Sequence, residues 1–376
     1  MDWKPFLMEK TVAEGERPDI LILVIALILV TIGTAMIYSS SSILAMERFK
    51  DAQFFLKKQI FFVVIGMGVM VLLTKLDYHY LKKLAYPGII LSLILLLLIF
   101  IPPLGIRAGG ARRWLNLGFF SFQVTELVKI SIVLFLAHFL TRKANYLKSF
   151  SRAILIPLLV TFLIIALIAL QPDFGATVMI AMILMLMLFL AGCRIRHLAG
   201  LTALLIPAAV WMIMFRSYRI DRLKVFLNPW NDPSNKGFQI IQSLLSFGSG
   251  GAFGVGIGDG MQKLFYLPEP HTDFILSVIA EESGFVGVAV VIFLFVVLII
   301  RGFMVAFRAP DLFGTLLAAG LTMVLAMGAF INIAGVMGLI PLKGLTLPFL
   351  SYGGTSLVMS LVAVGILLNI SSHVRA

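Results

Sequence analysis

The chain has 376 residues, 60% of them apolar and only 13% charged, with a mean hydropathy of +1.05. No soluble domain needs that much apolar surface, and several runs reach the length of a bilayer span, so a soluble enzyme or binding module is excluded. The 30 lysines and arginines against 18 acids leave a formal charge of +12, suited to anionic lipid headgroups or an anionic substrate; no nucleic-acid partner is expected. Cys193 is the single cysteine, which rules out an internal disulfide and a cysteine metal cluster. The five histidines are scattered without a His-x-x-x-His pair, so no metal ligands are assigned.

Residues 1–18 are polar and mixed in charge. The apolar segment after them is too long for the core of a cleavable signal and reads as a first span. Spans follow at roughly 19–40, 59–75, 84–103, 123–141, 153–170, 174–192, 197–215, 274–300, 312–334 and 351–370. The expected fold is therefore an all-α polytopic membrane protein of about ten transmembrane helices. It forms one domain over 1–376, with a cytoplasmic tail over 1–18 and a long extracytoplasmic loop, 216–273, between helices 7 and 8. With both termini inside, the inside segments carry 15 lysines and arginines and the outside ones 14, or 8 without the long loop. That supports cytoplasmic termini, and leaves an outer surplus of positive charge that suits an anionic lipid head.

Along the chain, 41–58 reads as an interfacial turn with Phe54 and Phe55 beside Lys57 and Lys58. In Gly109-Gly-Ala-Arg-Arg-Trp-Leu-Asn-Leu-Gly118, the paired glycines permit a sharp turn or a close approach to a ligand, and Arg112 and Arg113 offer forked donors to phosphate. Trp114 either stacks on a sugar or sits in the headgroup belt. Span four opens with Gln123, Glu126 and Lys129, three residues apart and on one face. A charge at mid-bilayer costs roughly 3 kcal/mol, so the Glu126–Lys129 pair must face the bundle interior or a wet cavity, to neutralise itself or to do chemistry. Gln171-Pro-Asp-Phe-Gly-Ala-Thr177 and Leu347-Pro-Phe-Leu-Ser-Tyr-Gly-Gly-Thr-Ser356 are two breaks leading into helix N-termini, and such backbone must be buried in protein or line a cavity.

The long loop carries Arg216, Arg219, Arg222 and Lys224, then a glycine-rich run from Phe247 to Gly260 that lacks the spacing of a nucleotide-binding fingerprint. It ends in Tyr266-Leu-Pro-Glu-Pro-His-Thr-Asp-Phe, where Pro268 and Pro270 stiffen the approach to a helix starting at Phe274. Thr272 or Asp273 would cap that helix, and Asp273, Ser277, Ala280, Glu281 and Gly284 share a small and polar face. Acids inside hydrocarbon are functional candidates by default. Glu281 and Glu282 read as packing or cavity-polar groups, and the sequon Asn369-Ile-Ser371 as chance.

These pieces in this order resemble the SEDS family of membrane glycosyltransferases, which polymerise peptidoglycan from lipid II. The resemblance spans nearly the whole chain. It rests on Tyr38-Ser-Ser-Ser, Gly110-Ala-Arg-Arg-Trp-Leu, Gln123-Val-Thr-Glu-Leu-Val-Lys, Gln171-Pro-Asp-Phe-Gly, Asn228-Pro-Trp, Gln262-Lys-Leu-Phe-Tyr-Leu-Pro-Glu-Pro-His-Thr-Asp-Phe and Pro348-Phe-Leu-Ser-Tyr-Gly-Gly-Thr-Ser. Lys343-Gly-Leu-Thr-Leu-Pro-Phe and the Leu56-Lys-Lys-Gln entry to span two look more like the division members than the elongation members. Val124 departs from the family's usual proline. The resemblance implies an inverting glycosyltransferase of septal wall synthesis in the bacterial cytoplasmic membrane. Asp273 would be its catalytic base, with Arg113, Lys129, Glu126, Trp114, Lys263 and His271 around the lipid-linked diphosphate. It implies as partners lipid II, a class B penicillin-binding protein that cross-links the strand, other division proteins and membrane lipids. A divalent cation, magnesium or manganese, is compatible with that site. A lipid II flippase and a non-catalytic scaffold are the rival readings.

Overall fold

The computed structural model describes residues 18–108, 111–118, 120–214, 217–235, 237–261, 270–341 and 344–373. Among the described residues, nine helices are long and apolar enough to cross a membrane, and the shorter Phe174–Leu190 makes the tenth expected span. In chain order these are α1 (Ile20–Phe49), α2 (Phe54–Lys75), α3 (Ala85–Leu98, entered by a 3₁₀ turn over Tyr78–Leu84), α4 (Val124–Arg142), α5 (Leu155–Leu170), α6 (Phe174–Leu190) and α7 (Ile195–Met214). Helices α8 (Ser217–Leu227) and α9 (Phe238–Gly250) follow in the long loop, then α10 (Ile275–Arg308), α11 (Leu312–Val336) and α12 (Gly354–Ser372). The protein is a multi-pass membrane protein.

Three helices form the centre. In α11 the most apolar window is 83% buried, and in α4 and α12 it is 78% buried, whereas α2 buries only 17%. The outer helices turn apolar side chains such as Ile60, Phe61, Val64 and Phe162 outward, as a bilayer permits and water does not. One end of the bundle carries a small antiparallel sheet, β1 (Gly105–Ala108), β2 (Ala111–Asn116) and β3 (Ser121–Gln123), in that order. The all-α membrane fold holds, with this small local addition: the stretch read as a glycine turn is flanked by strands, with Ala111 and Leu115 of β2 buried. Within 216–273, read as the long hydrophilic loop, α9 buries Ile240, Ile241, Ser243 and Ser246.

The far end is locked by polar contacts. Asp19 caps α1 and pairs with Arg301 of α10 at 2.6 Å, while its backbone N–H donates to Ser371 of α12. Asp311 caps α11 and accepts from the Tyr78 hydroxyl at 2.8 Å. Asn369, half of the chance sequon, accepts from the Tyr78 N–H and donates to the Thr74 carbonyl, so its amide is committed to packing.

Helix α10 is two helices joined at a break, not the continuous helix expected from its pattern. Gly284 has φ 65° and ψ −163°, a conformation essentially reserved for glycine. The break frees backbone groups, and the glycine-rich loop satisfies them. Val255 and Gly256 donate to the carbonyls of Glu281 and Glu282 at 3.0 and 3.2 Å, and Phe285 and Val286 donate to Gly251 and Ala252 at 2.9 and 3.1 Å. Both glutamates serve this joint: Glu281 accepts from the Met261 N–H at 2.8 Å, and Glu282 from the Ser39 hydroxyl at 2.7 Å. A methyl at 284 would lie 2.3 Å from the Gly254 nitrogen and 2.6 Å from the Ala252 carbonyl carbon. Gly284→Ala is therefore expected to cost at least about 1–3 kcal/mol, seen as a lower unfolding temperature in detergent and faster proteolysis of 251–261. Gly248→Ala, with nothing within 4 Å of the added methyl, should leave both unchanged.

Candidate active site

The candidate site gathers at the sheet end, around the segment 344–348 between α11 and α12. Helix α10 begins at Ile275 with Phe274 in the capping position, so Asp273 stands one residue outside the helix, half-buried. Its carbonyl accepts from the Nδ2 of Asn332, near the end of α11, at 2.9 Å, and the same nitrogen donates to the Leu345 carbonyl at 2.6 Å. Gly344, at φ 60°, lies against the carboxylate: a Cβ there would meet the Asp273 Oδ2 at 3.0 Å. One turn into α10, Ser277 bonds Ser243 of α9 at 2.7 Å, and Ser243 also donates to the Val336 carbonyl, tying three helices beneath the acid.

Lys129 and Glu126 pair at 2.7 Å, both buried, as their three-residue spacing dictates. They line a cavity of about 20 Å³ with Thr346, Pro348, Ser356 and Ser360, room for about one water. The Thr346 hydroxyl donates to Ser356 at 2.9 Å. The segment 344–348 thus meets the acid at one end and the Glu126–Lys129 cavity at the other.

Arg113 on the central strand reaches Asp173, with Nε 3.3 Å from Oδ2, close enough for an ion pair but too oblique for a hydrogen bond. Asp173 is buried, and it also caps α6 by accepting from the Ala176 N–H at 3.1 Å. A methyl added at Gly175 in the first turn of α6 would come 3.7 Å from the Leu345 side chain, so this pair flanks the same segment. Each of the two cations already has a carboxylate of its own. Trp114 is half-buried in β2 between Ile106 and Gln123. Arg112 turns away to the Phe100 carbonyl at 3.4 Å. Lys263 lies outside the described residues.

His271 is not an exposed cation. It is buried with its ring between Phe55 and Tyr352, and its carbonyl accepts from the Tyr352 N–H at 2.8 Å. Burial, with the Arg48 charge adding to it, pushes the imidazole down to about 4. It anchors the loop that carries Asp273, and a neutral ring offers no charge to a diphosphate.

Sequence reasoning passed over Asp173, Asn332 and Gly344 as site residues. Asp173 was legible as a carboxylate at a helix start inside an apolar region. Asn332, the only amide in α11, gave the same kind of signal in an otherwise apolar span.

The family model for the cell cycle proteins FtsW, RodA and SpoVE matches residues 19–376. The chain belongs to this family. The resemblance read from the motifs thus holds across their full span. A family relative from Geobacter sulfurreducens, a probable peptidoglycan glycosyltransferase FtsW, is 45% identical over 97% of this chain and 98% of its own. The stage V sporulation protein E of Bacillus subtilis is 42% identical over 95% of this chain and 98% of its own. Among solved structures, a chain from a peptidoglycan synthase complex coordinating polymerization and crosslinking aligns with a TM-score of 0.77 at 32% identity, covering 94% of this chain and 97% of that one. The family's rod shape determining protein RodA from Thermus thermophilus aligns with a TM-score of 0.69 at 28% identity, covering 96% and 98%.

Two outcomes follow from the geometry. Removing one partner of a buried ion pair strands the other charge, so Glu126→Leu or Lys129→Met alone should destabilise by about 3–5 kcal/mol. The double replacement should recover most of that in the same thermal unfolding assay. For His271, the unfolded chain takes up a proton below about pH 6.5 that the folded chain refuses until about pH 4, so its contribution is intact above 6.5 and lost as pH falls. His271→Phe should lessen the fall in unfolding temperature between pH 7.5 and 4.5.

Proposed function

We propose that the chain is a peptidoglycan glycosyltransferase that polymerises lipid II into glycan strands during septal wall synthesis, by inversion, with Asp273 as general base. Support comes from near-full-length relatives named for that activity, and from the division-like motifs around Lys343 and Leu56. The observation that carries the catalytic part is the half-buried Asp273 at a helix mouth, lying against the segment 344–348 that also borders the Lys129 cavity and the Arg113–Asp173 pair.

In the reaction a sugar hydroxyl attacks the anomeric carbon of a sugar linked to a lipid diphosphate. Asp273 takes the hydroxyl proton, the new glycosidic bond forms, and the bond from the anomeric carbon to the phosphate oxygen breaks. A single displacement of this kind inverts the anomeric centre. General-base help is worth about 10²–10⁴-fold in rate. The departing undecaprenyl diphosphate needs positive charge, and Arg113 and Lys129 supply it by exchanging their carboxylate partners for phosphate oxygens. Arg113 engages Asp173 through Nε, which leaves its two terminal nitrogens for that fork. Trp114 is the next residue on the same strand and suits a sugar face. An apolar groove of about 460 Å³ along α10, lined by Phe247, Phe285, Ile292, Phe293 and Met337, suits the lipid-borne half of the substrate.

No group of three metal-ligating His, Cys, Asp or Glu side chains occurs among the described residues, and Asp173 and Glu126 are engaged by cations. On this reading the sheet end faces outward from the bacterial cytoplasmic membrane, the termini are cytoplasmic, and a class B penicillin-binding protein and other division proteins are the partners. The likeness to a chain of a complex that joins polymerization to crosslinking supports the transpeptidase partner.

Purified protein with its transpeptidase partner and fluorescent lipid II tests the reading. Glycan chains should form, and Asp273→Ala or Asp273→Asn should lower their rate by about 10²-fold or more. Transbilayer movement of lipid II without polymer, unaffected by Asp273→Asn, would instead make the protein a flippase.

A further inference from the structure

The geometry points to Asn332 as the positioning residue for Asp273, tying the acid to the segment that borders the Lys129 cavity. The inference rests on the reading of Asp273 as the base. Asn332 is 5% exposed and stands one turn before the end of α11, in an otherwise apolar stretch. A buried amide in such a helix is costly unless its hydrogen bonds are made. Its Nδ2 donates to two carbonyls at once, those of Asp273 and Leu345, at 2.9 and 2.6 Å. The amide orientation follows from chemistry, since both neighbours are acceptors and only the NH₂ side can face them. Its Oδ1 is buried without a partner among the described residues, so one acceptor of this amide remains for a hydroxyl or a water.

Two consequences follow. The bridge joins Asp273, which lies outside the regular helix and gains no rigidity from the α10 ladder, to the well-buried α11. It also joins Asp273 to Leu345, the residue before Thr346, whose hydroxyl bonds Ser356 in the wall of the Glu126–Lys129 cavity. The base and the wall of the cation site are thus held at a fixed offset through one side chain. Gly344 completes the clamp from the other side, because its lack of a Cβ lets the carboxylate rest against the backbone. A residue with this role sets the approach of base to hydroxyl without touching the reacting atoms. Misplacement of about 1 Å in such an arrangement costs about 10²-fold in rate.

The test compares full-length wild type, Asn332→Leu, Asn332→Ser, Asn332→Asp and Asp273→Asn, each with the transpeptidase partner, in lipid II polymerisation across pH. Asn332→Leu keeps the volume and removes the donor; it should lower kcat by about 10²-fold with KM held within about threefold. Asn332→Ser keeps one donor and should fall between. Asn332→Asp sets a carboxylate against the backbone carbonyl of the base's own residue, and this added negative charge should move the acid limb of the rate profile upward by about one pH unit. If Asn332→Leu fails to fold, the serine and aspartate variants decide. Unchanged kcat per folded molecule and an unmoved acid limb, with Asp273→Asn inactive, would overturn the positioning role alone. Full polymerisation by Asp273→Asn would remove the base itself, and the positioning role with it.

Discussion

Hydrocarbon cannot solvate a backbone amide or a charge, and the rest of this structure depends on how that constraint is met. Wherever the chain departs from a continuous helix, another part of the protein arrives to complete its hydrogen bonds. The clearest case is the break at Gly284. Four bonds from the glycine-rich loop replace the missing helical ones, and Glu281 and Glu282 pin that loop and α1 to the joint. The density of glycine in 247–260 follows from this, because the loop must lie backbone to backbone against α10.

The same constraint shapes the candidate active site. Charges cannot stand uncompensated inside the bundle, so Lys129 holds Glu126 and Arg113 holds Asp173. Each carboxylate keeps its cation in place. The acid sits at a helix mouth, where its backbone carbonyl is held by the Asn332 amide.

The pattern of apolar runs was enough to read ten spans, because a bilayer imposes one length on every crossing element. Glu126 and Lys129 were legible as a pair because helical spacing is local; Glu281 and Glu282, read as packing or cavity-polar groups, hydrogen-bond at the break in α10. The sheet was not legible. Its strands are only four, six and three residues long, and their pairing depends on partners met after folding. The break in α10 was missed for a related reason, since the pattern through Gly284 is that of an uninterrupted helix and only the docked loop makes a break affordable there.

By itself, then, the chain's order of residues determined the membrane class, the spans, the charged face of α4 and the acid at 273. These are properties of one helix at a time, set by hydrophobicity and a 3.6-residue repeat. Tertiary structure alone decided that Arg113 meets Asp173, that His271 is buried between Phe55 and Tyr352, and that Asn332 bridges Asp273 to Leu345. Each joins residues distant along the chain, and such partners are chosen by which helix ends the bundle brings together, a quantity no local repeat encodes.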